Sequence, residues 1–153
     1  MKNFLFIVFI LSFICFNFHY AQAGGLSTTF SEVTLENLET GKAYSTKEVA
    51  GLPLEVINTG KEPVNLKVEL LLPQESELKS GFEPIPDLSW IKLEKSEFKN
   101  IRPNEAAVTN VNIFLPNDKQ YMGKKYQIYI WSHTVGGSIG AGLKSRLLLV
   151  IKP

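Results

Sequence analysis

The feature that most constrains this chain is the shortness of its apolar periods. Between Gly24 and Pro153 no stretch holds a helical apolar repeat over twelve residues. Residues 64–72 instead alternate, with Val64, Leu66, Val68 and Leu70 on one parity and Asn65, Lys67 and Glu69 on the other. Alternation of period two places one set on a core face and the other toward water, which is the pattern of a half-buried strand. Six further segments read as strands: 30–38, 52–58, 88–93, 106–115, 125–132 and 143–151. Gly, Pro and Asn bound them, as at Asn58-Thr59-Gly60, Pro73, Arg102-Pro103-Asn104 and Pro116. About seven short strands separated by turn residues predict an all-β chain folded as an antiparallel sandwich.

The order of the segments predicts connections. Only 59–63 separate the second and third strands, which predicts a hairpin. Residues 74–87 form the longest polar connection, contain Gly81, Pro84 and Pro86, and are expected to cross between sheets with room for a short helical turn. The last two strands are expected to pair across the glycine-rich segment 136–142. Matching their apolar sets puts Ile130 opposite Leu147 and Ile128 opposite Leu149. The expected core includes Val56, Val68, Leu70, Val111, Ile113, Ile128, Ile130, Leu147 and Leu149.

The N-terminus carries a different signal. Lys2 precedes an apolar run from Phe4 to Phe16 interrupted only by Ser12, and Ala21-Gln22-Ala23 follows as a small-x-small site. This reads as a signal peptide over residues 1–23, with residues 24–153 as one exported domain, periplasmic or extracellular. The run is shorter than the roughly 20 residues that span a bilayer, so no membrane span is expected in the mature form. Cys15 lies inside the run behind a bulky Ile14, which argues against lipid attachment.

Several chemistries lack their residues. The sole cysteine lies in the leader, so the exported domain has neither a disulfide nor a thiolate metal site. Lys and Arg number 16 against 15 Asp and Glu, which leaves no basic excess for nucleic acid. His133 is the one histidine after the leader. Its neighbours Ser132 and Thr134 point to the opposite face of a strand, so His133 cannot serve Ser132 as a base and reads as a strand-end residue in solvent. Glu75 and Glu77 share one polar loop, and Asn117-Asp118 reads as a turn. The glycine-rich segment precedes a strand rather than a helix, which removes the context of a phosphate cradle. No catalytic residue, metal or cofactor is expected, and the chain is read as a non-enzyme.

Leu54-Glu55-Val56-Ile57-Asn58-Thr59-Gly60, Ile101-Arg102-Pro103-Asn104-Glu105 and Ile113-Phe114-Leu115-Pro116 resemble the strand ends and proline turns of secreted bacterial immunoglobulin-like modules. The closing Ser145-Arg146-Leu147-Leu148-Leu149-Val150-Ile151-Lys152-Pro153 is similar to the last strand of the first domain of pilus periplasmic chaperones, and the layout is shared with cell-wall-associated surface modules. The resemblance implies a single immunoglobulin-like β-sandwich with a binding or structural role toward a protein partner at the cell envelope. The alternative it implies is an assembly chaperone acting by strand addition.

With Ile128 and Ile130 inside, Tyr129 and Trp131 turn outward, and so do Arg146 and Leu148 on the last strand. The expected register sets Tyr129 against Leu148 and Trp131 against Arg146. Two aromatics, an aliphatic and an arginine on an outer face predict a contact surface, so Tyr129, Trp131, Arg146 and Leu148 are the expected partner-binding residues. The competing expectation is that 26–30 or 74–87 folds over them.

Overall fold

The structure, a computed structural model, describes residues 25–137 and 140–153. The expected signal peptide and two residues of the glycine-rich segment, Ser138 and Ile139, lie outside the described residues. In chain order the elements are β1 (Leu26–Ser27), β2 (Glu32–Leu38), β3 (Ala43–Ser45), the helical turn α1 (Thr46–Ala50), β4 (Leu54–Asn58), β5 (Val64–Leu71), β6 (Glu83–Pro84), β7 (Ile91–Leu93), β8 (Glu97–Ile101), β9 (Ala106–Thr109), β10 (Val111–Phe114), β11 (Lys125–Val135) and β12 (Gly142–Ile151). Single 3₁₀ turns stand at Glu75–Glu77, Leu88–Trp90 and Lys119–Tyr121.

Two sheets pack face to face, an immunoglobulin-like sandwich as the sequence predicts. The first has the order β2-β12-β11-β5-β8. The pairs along this order are antiparallel except β2, which runs parallel to β12 from Glu32 opposite Arg146 to Leu38 opposite Ile151, and the short β6 adds a second parallel pair alongside β11. The second consists of β1-β4-β9 and β3-β10-β7. β9 and β10 are one strand interrupted at Asn110, and β3 and β4 run along it as one strand opened by α1. The chain leaves β7 for the first sheet over 94–96, where the Glu94 N–H donates to the Asn110 carbonyl and the Val68 N–H donates to the Ser96 carbonyl.

Alternation fills the space between the sheets. Val33, Leu35, Leu66, Val68, Ile128, Ile130, Leu147 and Leu149 come from the first sheet, and Leu54, Val56, Ala107, Val111 and Ile113 from the second; all are buried. Each large aliphatic removed from water contributes about 1.5–3 kcal/mol before the entropy of ordering the chain opposes it. Trp90 meets Tyr121 and Tyr126 edge to face, with centroids 4.8 and 5.9 Å apart. Of the expected core only Leu70 is half-buried, packed against the rest.

Three expectations need correction. β4 and β5 do not form a hairpin: β4 pairs with β1 and β9, β5 with β11 and β8. Asn58 accounts for the crossing. Fully buried, it donates from Nδ2 to the Glu62 and Ile101 carbonyls and accepts from the Gly60 N–H at Oδ1, which fixes residues 59–63 as an arch between the sheets. The register of β11 and β12 has the expected parity but is displaced by two residues. Ile130 faces Ser145 and Ile128 faces Leu147, so Tyr129 lies against Arg146 and Trp131 against Lys144. His133 is not a solvated strand end, because Glu69 on β5 binds it. The 74–87 connection does cross between sheets, touching β11 through β6 before the chain enters β7.

Candidate functional site

Outward residues of β11 and β12 form the middle of the first sheet's outer face. Trp131 is 36% exposed there. Its indole stacks on the His133 imidazole, centroids 4.0 Å apart and planes 22° from parallel. His133 in turn places Nε2 2.8 Å from Glu69 Oε2, and Lys67 Nζ lies 2.7 Å from the other carboxylate oxygen. Lys67 first, and His133 second, hold the Glu69 carboxyl below the usual carboxylate value. Gly142 makes the seat for the indole, since a Cβ at that position would stand 2.9 Å from Trp131 Nε1.

Tyr129 and Leu148 share this face but are covered, 6% and 2% exposed. The cover is built from the 74–87 connection and from charged side chains. Gln127, fully buried, accepts from the Lys79 N–H and donates to the Glu77 carbonyl, which ties 77–79 across the sheet beside Leu148. Lys144 Nζ lies 4.8 Å from the Tyr129 centroid and 2.9 Å from a Glu77 oxygen. Arg146 donates to the Tyr129 hydroxyl at 3.1 Å and to Glu32 at 2.7 Å, and Lys79 pairs with the other Glu32 oxygen. Lys79 first, then Arg146, lower the Glu32 carboxyl. The expected contact surface of four residues thus has two accessible members, Trp131 and the half-buried Arg146, above Tyr129 and Leu148. Residues that sequence reading omitted, Gln127, Glu32, Glu77, Lys79 and Lys144, supply the cover. Gln127 was the one legible sign, a lone amide on the outward parity of an aromatic strand.

On this face the one imidazole is engaged by the Glu69 carboxylate. Ser132 points inward, fully buried and without a hydrogen-bond partner among the described residues, away from the His133–Glu69 pair. Among the described residues no three His, Cys, Asp or Glu side chains converge on a metal position. No described helix is long and apolar enough to cross a membrane.

Solved structures with the same layered arrangement decide what kind of sandwich this is. The ASH/PapD-like domain of human CEP192 superposes with a TM-score of 0.58 at 13% identity over 84% of this chain and 86% of that one. A Bacteroides ovatus protein provisionally described as carbohydrate binding reaches 0.59 at 12% identity, over 84% and 37%. The class 5 fimbriae chaperone CfaA reaches 0.54 at 7% identity, over 84% and 57%. The fold is an immunoglobulin-like sandwich similar to the first domain of pilus chaperones. Identities this low carry the sandwich and not its function. The immunoglobulin-like chain spans a little over half of the CfaA chain. No family model matches the sequence, and no curated protein matches it.

Proposed function

We propose that this sandwich is an exported, non-catalytic binding or structural module that makes protein contacts at the cell envelope or outside the cell. Trp131 and Arg146 meet the partner, and Tyr129 and Leu148 support them from below. The observation that carries this reading is the seating of Trp131, a large aromatic left in water yet fixed by His133 and Gly142. Its ordering entropy is already met before a partner arrives, and pre-organised aromatic anchors beside arginine dominate binding energy at interfaces.

A photo-crosslinking residue at position 131 tests it in exporting cells, with position 122 as an exposed control. A discrete protein adduct at 131 and none at 122 is expected, and Trp131→Ala should weaken capture of that protein while leaving the thermal midpoint in place. Adducts at both positions or at neither overturn the assignment, as does unfolding of Trp131→Ala.

The second reading, strand addition, draws support from the fimbrial chaperones among the similar structures. Adding a strand needs an unpaired edge. β2 already occupies the edge of β12 from Arg146 to Ile151. The remaining edges of this sheet, β2 and β8, are each bent by an asparagine at positive φ, Asn37 at 59° and Asn100 at 56°. The contact-surface reading is therefore preferred.

A further inference from the structure

On the opposite side of the sandwich, α1 and the outer face of β3 and β10 enclose an open concavity of about 660 Å³. That volume is within the range of small-molecule sites. Asn112 and Phe114 alternate with the buried Val111 and Ile113, so both face outward onto its floor. Across the strand pair Asn112 meets Ser45 and Phe114 meets Ala43. Beside the small Ala43 side chain Phe114 is 45% exposed, with Lys92 Nζ 5.4 Å from its ring centroid. Lys47 and Glu48 of α1 form the wall.

We propose that this concavity binds a neutral saccharide, with one pyranose ring lying on Phe114 and its hydroxyls meeting Ser45, Lys47, Glu48 and Asn112. The first argument is unused hydrogen-bonding capacity. None of those four side chains has a hydrogen-bond or ion-pair partner among the described residues, whereas the neighbouring Asn110 spends its amide on Glu94. The second is the kind of capacity. Amide and hydroxyl both donate and accept, the ammonium donates and the carboxylate accepts, which suits a ligand whose every hydroxyl does both. The third is charge, since Lys47 beside Glu48 in the wall, and Lys92 with Glu94 beside the floor, balance to give no net sign that would draw an anion or a cation. The fourth is the sheet itself. β10 is hydrogen-bonded on both sides, by β3 and β7, so an extended peptide finds no main-chain edge on this floor. An exposed phenyl face takes the C–H face of a sugar ring, which keeps its hydroxyls free for the wall and floor.

The test is a titration of the ¹⁵N-labelled full chain, as cells deliver it, with maltotriose, mannotriose, chitotriose and lactose, each to about 10 mM so that millimolar affinity is visible. Inorganic phosphate and an unmodified tripeptide are titrated in parallel. The expected result is saturable shifts at 43–48 and 110–114 from at least one sugar and from neither control, with 131–133 unmoved. Asn112→Ala and Phe114→Ala should each weaken that sugar about tenfold or more, near 1.4 kcal/mol, at an unchanged thermal midpoint. The proposal is overturned by silence from all four sugars, by shifts from phosphate or peptide alone, by shifts centred on Trp131, or by variants that bind the sugar as the parent does. The Trp131 reading stands or falls separately, because its site is on the other sheet.

Discussion

The two outer faces of this sandwich differ in how their polar groups are engaged. On the first sheet Glu32, Glu69, Glu77, Lys67, Lys79, Lys144 and Arg146 all hold partners from the chain itself, and an amide at Gln127 fastens a connection over the aromatics. On the second sheet the floor and wall near Phe114 hold donors and acceptors that meet nothing in the described chain. Apolar content is concentrated on the first face, and most of it is buried by the chain itself, which leaves Trp131 as its exposed large member. A chain that folds a strap over part of its apolar patch uses the covered part for stability, while a face with idle hydrogen bonds keeps them for solvent or a ligand.

Truncation should separate the faces most sharply. Leu148→Ala, on an outward parity yet almost fully covered, is expected to cost about 2–5 kcal/mol by chemical denaturation. A loss under about 0.5 kcal/mol would mean the cover is absent in solution and the faces are alike. Next comes the strap. Gln127→Leu leaves the Lys79 N–H and Glu77 carbonyl unmet, with an expected cost of about 1–3 kcal/mol and faster proteolysis within 74–87. Cleavage at the parent's rate would show that Gln127 does not hold the connection.

Acid should act on the first face. Partners lower the Glu32, Glu69 and Glu77 carboxyls from an ordinary value of 4.5, with the Gln74 N–H acting first on Glu77 and Lys144 next. A carboxyl lowered on folding contributes its full stability above the unfolded-state value and loses it as pH falls through the lower folded-state value. Denaturation midpoints should therefore drop below pH 4.5, and Glu32→Gln should flatten the drop; an unchanged profile in that variant removes Glu32 from the network. The smallest effect belongs to the second face. Phe114→Ala should change stability by less than about 0.5 kcal/mol, and a larger loss would make that ring part of the fold.

How much of this was legible follows residue by residue. β5 alternates from Val64 to Leu70 and its faces were readable, whereas β12 is apolar from Leu147 to Ile151 and took its faces from its pairing with β11. β8 was not readable, because Asn100 at positive φ separates its buried residues, Phe98 and Ile101, by three positions instead of two. Asn37 does the same to Leu35 and Leu38 in β2. The two-residue displacement of β11 on β12 has a plain cause. Matching apolar residues overlooks Ser145, a small polar residue buried opposite Ile130, and register answers to the turn as well as to the apolar set. An arch between sheets and a hairpin turn share the same Asn-Thr-Gly signature, so only the bonds of Asn58 tell them apart. Of the expected contact residues, parity gave the direction of all four. It was silent on the cover, which depends on a connection more than forty positions away in sequence.

The pairing of β2 with β12 has a mechanical consequence. The strands lie near opposite ends of the sequence and run parallel, with Glu32 beside Arg146 at one end of the ladder and Leu38 beside Ile151 at the other. Tension applied before β2 and after β12 pulls the two strands in opposite directions along their own axes. The ladder is then sheared, with its hydrogen bonds strained together, whereas a pair gripped at one end would be peeled open bond by bond. Tethered at both ends and stretched, the sandwich would resist extension until that ladder gave way as a unit.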